Sequence, residues 1–547
     1  MVTVCPNYLY VRLNNFDYDF MRQLLTRFQT IVIPHRIFVS AVLMVFVVLA
    51  ATAFPRLMVV GGLPTTDEGA YAYYAQFIHA NLAAGRGLPD AGMLDIYPLM
   101  LSWVFSLPAN HMILLRLADM FVAVVASCLL YSVIEQESGS RVGGALISLV
   151  FLFTMNQPIF IQTGFKNSIF AAYIPLFLAL RLGTANKVGA HWEWVGALVA
   201  LAVLLRETFF PFLIVGALAI AKAYGWRACL RFILGTSIAI LVVMVGIAIA
   251  RGGIANLIEG YRDAAALYDA VAGRDVNLFV NNGIASAREA AVALAFGGLG
   301  VIAIFIGLIT RNRQVSPGRF IFWLFVATVP LLEPASKIGF PYHFAVCLPG
   351  LAGLAAFGWK SATTGRDASI KLIFATAAAM VGVVMLFPKT TTLVEYWPHT
   401  RSTLESASTG SWPNEATASS NYLLAAEAIR KVAPPNGTLS VSGFMHALYP
   451  LTGMLPPCHE LSNLSATLIK LNLDGIRFKQ ALLACPPDVL MTTTRTNWPG
   501  ADTLTKAVED SGLYEQVAII PVAPDKSYGG FGGTIYRRKN HAQGSGS

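Results

Sequence analysis

Long apolar runs recur along the chain, and they constrain its fold more than any other feature. A transmembrane helix needs about 20 consecutive apolar residues. Only 13% of the residues are charged, about half the share of ordinary soluble domains. The sequence therefore predicts a polytopic α-helical membrane protein with about eleven transmembrane helices. The runs cover residues 37–54, 113–134, 142–161, 168–180, 194–205, 209–221, 232–250, 290–309, 320–332, 343–357 and 370–387.

The basic residues lie mainly in short segments between these runs, and they predict the orientation of the chain. The net charge of +9 follows from this distribution and does not indicate nucleic-acid binding. The stretch 194–221 has basic residues on both sides, so both of its ends are expected in the cytoplasm. It must then turn back near Arg206-Glu207. Continued alternation predicts a multi-pass membrane protein with its N-terminus in the cytoplasm and its C-terminus outside.

A change of composition predicts the domain organisation. Residues 1–36 form a cytoplasmic segment, residues 37–387 the transmembrane domain with a long external loop at 61–111, and residues 388–540 a second domain. We interpret 541–547, which ends in Gly-Ser-Gly-Ser, as a tail with a cloning remnant. Short helices alternate with strands at 438–441, 489–493, 516–522 and 534–538. This alternation predicts a small extracytoplasmic α/β domain.

The cysteines and the metal-ligand spacings give fewer indications. Cys458 and Cys485 both lie in the predicted outer domain, where an oxidising environment favours a disulfide between them. No Cys-x-x-Cys or His-x-x-x-His spacing indicates a dedicated metal site.

The external loop begins with two adjacent carboxylates, Asp67 and Glu68, next to the first membrane span. Tyr71, Tyr74 and Ala75 follow at helical spacing, which predicts an interfacial helix. One interpretation is structural: Asp67 is the N-cap of this helix, and Glu68 is a first-turn acid that the helix dipole favours. The other interpretation is catalytic. Every later stretch that completes a site returns to the side of the membrane where this pair lies.

Charged side chains near the outer ends of the spans are candidates for a site, because charge at membrane depth is costly. Arg116 and Asp119 are spaced to neutralise each other on one helix, and Arg206 is adjacent to Glu207. Three others, Lys166, Lys337 and His343, are the better candidates for binding an anion. The full set, which also includes Tyr71 and Tyr342, comprises Asp67, Glu68, Tyr71, Arg116, Lys166, Arg206, Glu207, Glu333, Lys337, Tyr342 and His343.

A carboxylate that faces several cations at the lipid boundary suits the transfer of a sugar from a phosphate-linked lipid. Asp67 accepts the proton of the attacking hydroxyl, and the cations neutralise the charge that develops on the leaving phosphate. This chemistry predicts a single displacement with inversion at the sugar. Mg²⁺ or Mn²⁺ can bind a carboxylate pair, whereas nearby cations make a metal unnecessary, and the sequence leaves both possibilities open.

The acidic stretch also carries a resemblance to a known family. Asp67-Glu68-Gly-Ala-Tyr71-Ala72, followed by Gly85-Arg-Gly-Leu-Pro89 and Tyr97-Pro98, resembles the first external loop of GT-C glycosyltransferases. It is similar to the bacterial branch of lipid A aminoarabinose transferases and protein O-mannosyltransferases. The stretches Leu204-Leu205-Arg206-Glu207 and Gly339-Phe-Pro-Tyr342-His343 are similar to that group as well, as is the terminal α/β domain.

The resemblance implies a polyprenyl-phosphate-sugar donor and Asp67 as the catalytic carboxylate of a transmembrane catalytic domain. The acceptor is then presented outside the membrane, as lipopolysaccharide, another glycan, a lipid or a protein. The same resemblance implies a bacterial inner membrane. We predict that the donor phosphate or sugar is held by Lys166, Arg206, Lys337, Tyr342 and His343. The chain departs from the family at Tyr97, where the aminoarabinose branch has a lysine. It departs again at Lys166-Asn167, where many relatives carry an acid.

Two other classes of function fit a polytopic protein. A transporter of lipid-linked glycans also has buried charges and broken helices, but the sequence lacks matching halves and has a large polar external loop. A glycan polymerase or ligase uses a late external loop, for which residues 251–289 with Arg262 and Arg274 are the candidate.

Overall fold

The architecture is described from a computed structural model. It describes residues 35–62, 64–88, 96–161, 165, 169–185, 191–271, 276–309, 316–336, 340–363, 400–401, 404, 420–443, 445–493, 499–522 and 532–539. The chain divides into two compact units, residues 1–46 and 47–547. Within the first unit the described residues, 35–46, are helical. The second unit holds all the other elements.

Most of the described residues in both units are helical. The membrane part contains α1 (His35–Val48), α2 (Phe54–Val59), α3 (Thr66–Ala83), α4 (Ile96–Leu101), α5 (His111–Ser138), α6 (Arg141–Met155), α7 (Pro158–Ile161), α8 (Ile169–Ala185), α9 (Trp192–Leu205), α10 (Pro211–Tyr224), α11 (Trp226–Ala250), α12 (Ile254–Val271), α13 (Val276–Glu289), α14 (Ala291–Ile309), α15 (Pro317–Thr328), α16 (Leu332–Ser336), α17 (Pro341–Phe344) and α18 (Leu348–Thr363). A π-helical turn, Leu49–Ala53, joins α1 to α2. The C-terminal part contains α19 (Asn421–Val432), α20 (Leu448–Thr452), α21 (Leu464–Lys470), α22 (Gly475–Ala484) and α23 (Ala501–Asp510).

The apolar runs correspond to the observed helices. In the described part of the chain, seven helices are long and apolar enough to cross a membrane, and four shorter apolar helices accompany them. Ten of the eleven predicted spans overlap one of these helices, and the eleventh, 370–387, lies outside the described residues. The turn predicted at Arg206-Glu207 is present as the short 3-10 helix Glu207–Phe209 between α9 and α10. The chain is thus a multi-pass membrane protein.

The first span is longer than its uncharged run predicted. The continuous helical segment reaches Val59 and includes Arg56, which is buried. The uncharged run ends at about residue 54 because Arg56 interrupts it, but the helix continues through Pro55, which follows the π-helical turn Leu49–Ala53. The helix is therefore longer than the uncharged run.

The two ends of the helix bundle carry different sets of charged side chains. At the C-terminal end of α5, Glu137 accepts a bond from Arg319 at 2.7 Å, and the side chain of Lys360 passes close to Gly139. Arg116, in contrast, lies at the beginning of the same 28-residue helix. Since a helix rises about 1.5 Å per residue, α5 holds the two sets of charges at opposite ends of the bundle.

The C-terminal part has the predicted α/β character. Strands β1 (Leu439–Val441), β2 (Val489–Thr493), β3 (Tyr514–Ile520) and β4 (Gly533–Arg538) form a sheet in the order β1-β2-β4-β3. β1 pairs with β2 in parallel, with Leu439 opposite Val489, and the other pairs are antiparallel. Two short helices, α20 and α21, were not predicted. Each is held by local caps, such as the Asn463 side chain at the start of α21.

One apolar core joins this sheet to the helix that follows the acidic pair. Ala72 and Tyr73 of α3 are buried together with Tyr449 of α20 and Val441 of β1. Of the apolar face predicted for α3, Ala75 is buried, whereas Tyr71 and Tyr74 are half-buried. The helix also packs on the C-terminal part through Ala72 and Tyr73, and its position at the membrane interface stays a prediction.

The two cysteines of the C-terminal part, Cys458 and Cys485, are close neighbours. Cys458 and Cys485 pack against the apolar cluster between α21, α22 and β2, and both are free thiols. Burial, together with a hydrogen bond to Cys485, raises the pKa of the Cys458 thiol to about 12. The disulfide between them stays a prediction, and the fold places the two side chains where it would form.

Candidate active site

The acidic pair begins α3, but the two acids have different surroundings. Thr65 is the N-cap, so Asp67 does not cap the helix as the structural interpretation proposed. Glu68 is the third helical residue, and its Oε2 accepts a bond from the Thr65 N–H at 3.3 Å. This is the glutamate position of a capping box. The capping box therefore accounts in part for a glutamate at position 68. It does not account for the aspartate at position 67.

Glu68 also forms a buried ion pair with Arg116 of α5. Arg116 Nε lies 2.5 Å from Glu68 Oε1, and its Nη2 lies 2.8 Å from Oε2. The same guanidinium donates to the carbonyl oxygens of Val60 and Gly62. Both side chains are 0% exposed. Because a bidentate pair fixes orientation as well as charge, Arg116 ties the N-terminal end of α3 to both the first span and α5.

Asp67 points to a different part of the molecule. Its Oδ2 accepts a hydrogen bond from the Tyr342 hydroxyl at 2.8 Å, across 275 positions of sequence. Asp67 is half-buried, whereas Glu68 is fully buried. The Asp67 carboxylate is thus partly accessible and is oriented by the Tyr342 hydroxyl, as a candidate general base would be.

A second buried ion pair lies beside Tyr342. Arg206, just after α9, donates from Nε and Nη2 to Glu333, both at 2.6 Å. Thr208 donates to the same carboxylate at 2.9 Å. His343 Nε2 lies 3.9 Å from Glu333 Oε1, and its ring centroid lies 4.1 Å from that of Tyr342. The Asp67–Tyr342 contact thus connects the Glu68–Arg116 pair to the Arg206–Glu333 pair.

A third buried network supports the first span. Arg56 donates to Asp119, and Tyr97 donates to the other oxygen of this carboxylate. Arg56 Nε also lies 2.6 Å from Asn156 Oδ1. Asp119 therefore pairs with Arg56 rather than with Arg116, three residues before it. Arg56 and Tyr97 were not predicted as charged or polar groups of the site. A charge at the end of an apolar run nevertheless indicates that a partner exists.

The structure brings together most of the predicted residues. Asp67, Glu68, Arg116, Tyr342, His343, Glu333 and Arg206 form one connected set. Tyr71 packs edge-on against Phe165 at 6.5 Å. Glu207 is exposed and accepts from Tyr261 of α12 at 3.3 Å, so it is not the partner of Arg206. Lys166, Lys337 and Arg274 lie outside the described residues.

The described side chains do not fit a divalent metal. Among them, no three histidine, cysteine, aspartate or glutamate side chains converge. Both oxygens of Glu68 already lie on Arg116, so Asp67 and Glu68 cannot jointly bind Mg²⁺ or Mn²⁺ unless this ion pair breaks.

Tyr342→Phe tests whether the Asp67–Tyr342 hydrogen bond contributes to an activity of this site. We expect Tyr342→Phe to lower kcat about tenfold, because a hydrogen bond to a charged group is worth about 1.5–3 kcal/mol. Tyr261→Phe is the matched control, since that hydroxyl also contacts a carboxylate. Steady-state kinetics of the two variants check this, and equal kcat values in both would contradict it.

Comparison with known proteins gives a fold but no sequence family. No protein-family model matches the sequence, and no curated protein matches it. Two crystal structures of ArnT from Cupriavidus metallidurans, one bound to undecaprenyl phosphate and one in the apo state, are similar to this chain. Their TM-scores are 0.53 and 0.52, their identities 14% and 13%, and each alignment covers 90% of this chain and 97% of that chain. The chain therefore has the fold of ArnT, which confirms the predicted polytopic helical fold with a C-terminal domain.

Proposed function

We propose that this protein is an inverting glycosyltransferase that moves a sugar from a polyprenyl-phosphate donor to an acceptor outside the cytoplasm. The observation that carries the proposal is the difference between the acids of the site. Glu68 and Glu333 are buried against arginines, whereas Asp67 is half-buried and accepts from the hydroxyl of Tyr342. The likeness in fold to ArnT, which was crystallised with undecaprenyl phosphate, supports a lipid-phosphate donor.

The reaction follows from these positions. The Asp67 carboxylate accepts the proton of the acceptor hydroxyl as its oxygen attacks the anomeric carbon of the sugar. The bond between that carbon and the phosphate oxygen breaks, and the electron pair leaves with polyprenyl phosphate. One displacement from the opposite face inverts the anomeric configuration. The proton on Asp67 then passes to solvent.

Cationic side chains are required for the leaving phosphate, because negative charge develops there in the transition state. We assign this role to Lys166 and Lys337, with His343 near the sugar. The guanidinium of Arg206 is bidentate to Glu333, and its main role in the proposal is to hold Glu333 and His343 beside Tyr342. The mechanism uses no metal, in line with the donor set of the described residues.

The orientation belongs to the same proposal. Asp67, Tyr342 and Arg206 lie at the end of the bundle where α5 begins, and the basic groups Arg319 and Lys360 lie near the end of α5. The positive-inside rule assigns the latter end to the cytoplasm. The site and the sheet domain then face outward in the inner membrane, with the C-terminus outside.

A donor assay tests the function. Purified protein in EDTA-containing buffer is given polyprenyl phosphates that carry different radiolabelled sugars, with a membrane extract as the source of acceptor. We expect label in the acceptor, release of polyprenyl phosphate and an inverted anomeric configuration by NMR. Absence of transfer from these donors, with release of polyprenyl diphosphate when glycans linked to polyprenyl diphosphate are supplied instead, would indicate a polymerase or ligase. Movement of intact lipid-linked sugar across vesicles, without transfer, would indicate a transporter, and either result would overturn the proposal.

A further inference from the structure

The segment that links β1 to α20 is held rigidly by the C-terminal sheet. The Ser442 N–H donates to the Met491 carbonyl at 3.0 Å, and Ser442 Oγ accepts from the Thr493 N–H at 2.6 Å. Gly443 is bound from both sides, through its N–H to Ser465 Oγ at 3.0 Å and through its carbonyl to Asn463 Nδ2 at 3.1 Å. These bonds are buried, so they are strong constraints on the path of the chain.

This segment ends at Ala447, which lies directly on the first turn of α3. A Cβ atom placed on Gly69 would be 2.6 Å from the Ala447 Cα, whereas carbon atoms in contact are about 3.5–4.0 Å apart. Gly69 is two residues after Asp67. The backbone of α3 therefore touches the backbone of the C-terminal domain next to the proposed catalytic base, and only glycine permits this approach.

The contact continues along one face of α3. Tyr73, one turn after Gly69, lies 4.4 Å from Tyr449 and 5.5 Å from His446, between ring centroids. Burial lowers the pKa of His446 to about 4, so its ring is neutral at pH 7 and packs as an aromatic group. Gln76, a further turn along, donates to the Met454 carbonyl at 3.2 Å. Positions 69, 73 and 76 lie on one helical face, so the C-terminal domain fixes the rotation of α3 about its axis.

We propose that the C-terminal domain is part of the catalytic apparatus: the Ala447–Gly69 contact sets the position of α3 so that Asp67 meets Tyr342. This inference rests on the proposed function, since it assumes that Asp67 is the base. Gly69 and Ala447 are positioning residues that act through Asp67, whereas Gln76 fastens the same two parts about two turns away from it.

The experiment compares Gly69→Ala with Gln76→Ala in the full-length protein. The added methyl must move α3 by about 1 Å, and such a misplacement costs about a hundredfold in rate. We expect Gly69→Ala to lower kcat about a hundredfold and to change the KM for the lipid donor less than twofold. Gln76→Ala, about two turns further along α3, should lower the melting temperature and reduce kcat far less than Gly69→Ala does. Loss of stability without loss of kcat in folded Gly69→Ala protein would overturn the inference.

Combination with Tyr342→Phe separates positioning from a general structural defect. If Gly69→Ala already takes Asp67 away from Tyr342, the double variant should be no slower than Gly69→Ala alone. Multiplicative losses would mean that the two residues act independently, and the inference would be wrong.

Should Gly69→Ala fail to fold, Ala447→Ser is measured in its place. A several-fold lower kcat in folded Ala447→Ser protein supports the inference, and an unchanged kcat overturns it. Full activity of Asp67→Asn would instead remove the proposed function itself.

Discussion

Asp67→Asn is expected to lower kcat by about a thousandfold, which lies within the 10²–10⁴-fold range for removal of a general base. The amide keeps the size of the side chain and still accepts a hydrogen bond from Tyr342, but it cannot take up a proton. Folding should be unchanged, since Asp67 is only half-buried and Thr65, not Asp67, caps the helix. Transfer from the labelled donor, measured on protein with wild-type thermal stability, checks this result.

Asp502 provides the matched control. It occupies the same place in the first turn of α23 as Asp67 does in α3, two residues after the N-cap, and it is exposed. If Asp67 served only the helix dipole, both asparagine variants would have the same small effect, of about 0.3–1 kcal/mol on stability. We expect activity to separate them. An Asp67→Asn protein that retains activity within a few-fold of the wild type would contradict the proposed mechanism.

Arg116→Ala should prevent most of the protein from folding. Removal of one partner of a buried ion pair costs about 3–5 kcal/mol, because the other charge is left without compensation. We expect a larger loss of stability than the removal of one contact would cause, since Arg116 also donates to the Val60 and Gly62 carbonyls. The yield of monodisperse protein after extraction and its thermal stability are the measurements.

Arg231→Ala is the control for this prediction. Arg231 also pairs with a glutamate, Glu193, at 2.5 Å, but its side chain is 46% exposed. Exposed pairs contribute little, so we expect a nearly unchanged melting temperature. Similar stability of the Arg116 and Arg231 variants would show that burial of the first pair does not have the structural role assigned to it.

Glu68→Gln tests the prediction that Glu68 is catalytic. A folded Glu68→Gln protein as inactive as Asp67→Asn would make Glu68 a second catalytic carboxylate.

The parts of the fold that were predictable are those that local pattern determines. The spans follow from hydropathy, and the strand at 489–493 was predicted with the bounds that the structure has. Asp67 was a candidate because charged groups at the mouth of a span are costly, and Tyr342 was one because its stretch resembles the glycosyltransferase group. Their direct contact was not predictable, since 275 positions separate them.

The partners of the buried charges show the limit of sequence spacing. Arg116 was matched with Asp119 and Arg206 with Glu207, because those are neighbours on a helix or along the chain. Arg116 instead pairs with Glu68, 48 positions away, and Arg206 with Glu333, 127 positions away. Desolvation determines that a charge at membrane depth has a partner, but packing of the spans determines which one. The capping of α3 by Thr65 was predictable from Thr-x-x-Glu.

The position of α3 between the membrane helices and the sheet has a consequence for biogenesis. Gln76 and Met454, which bond to each other, are 378 positions apart, and chains are synthesised from the N-terminal end at about 5–20 residues per second. Several spans are therefore translated before the surface on which α3 packs exists. The nascent protein therefore holds Asp67 before the C-terminal surface on which α3 packs has been made, and α3 reaches its final position only after that part is translated.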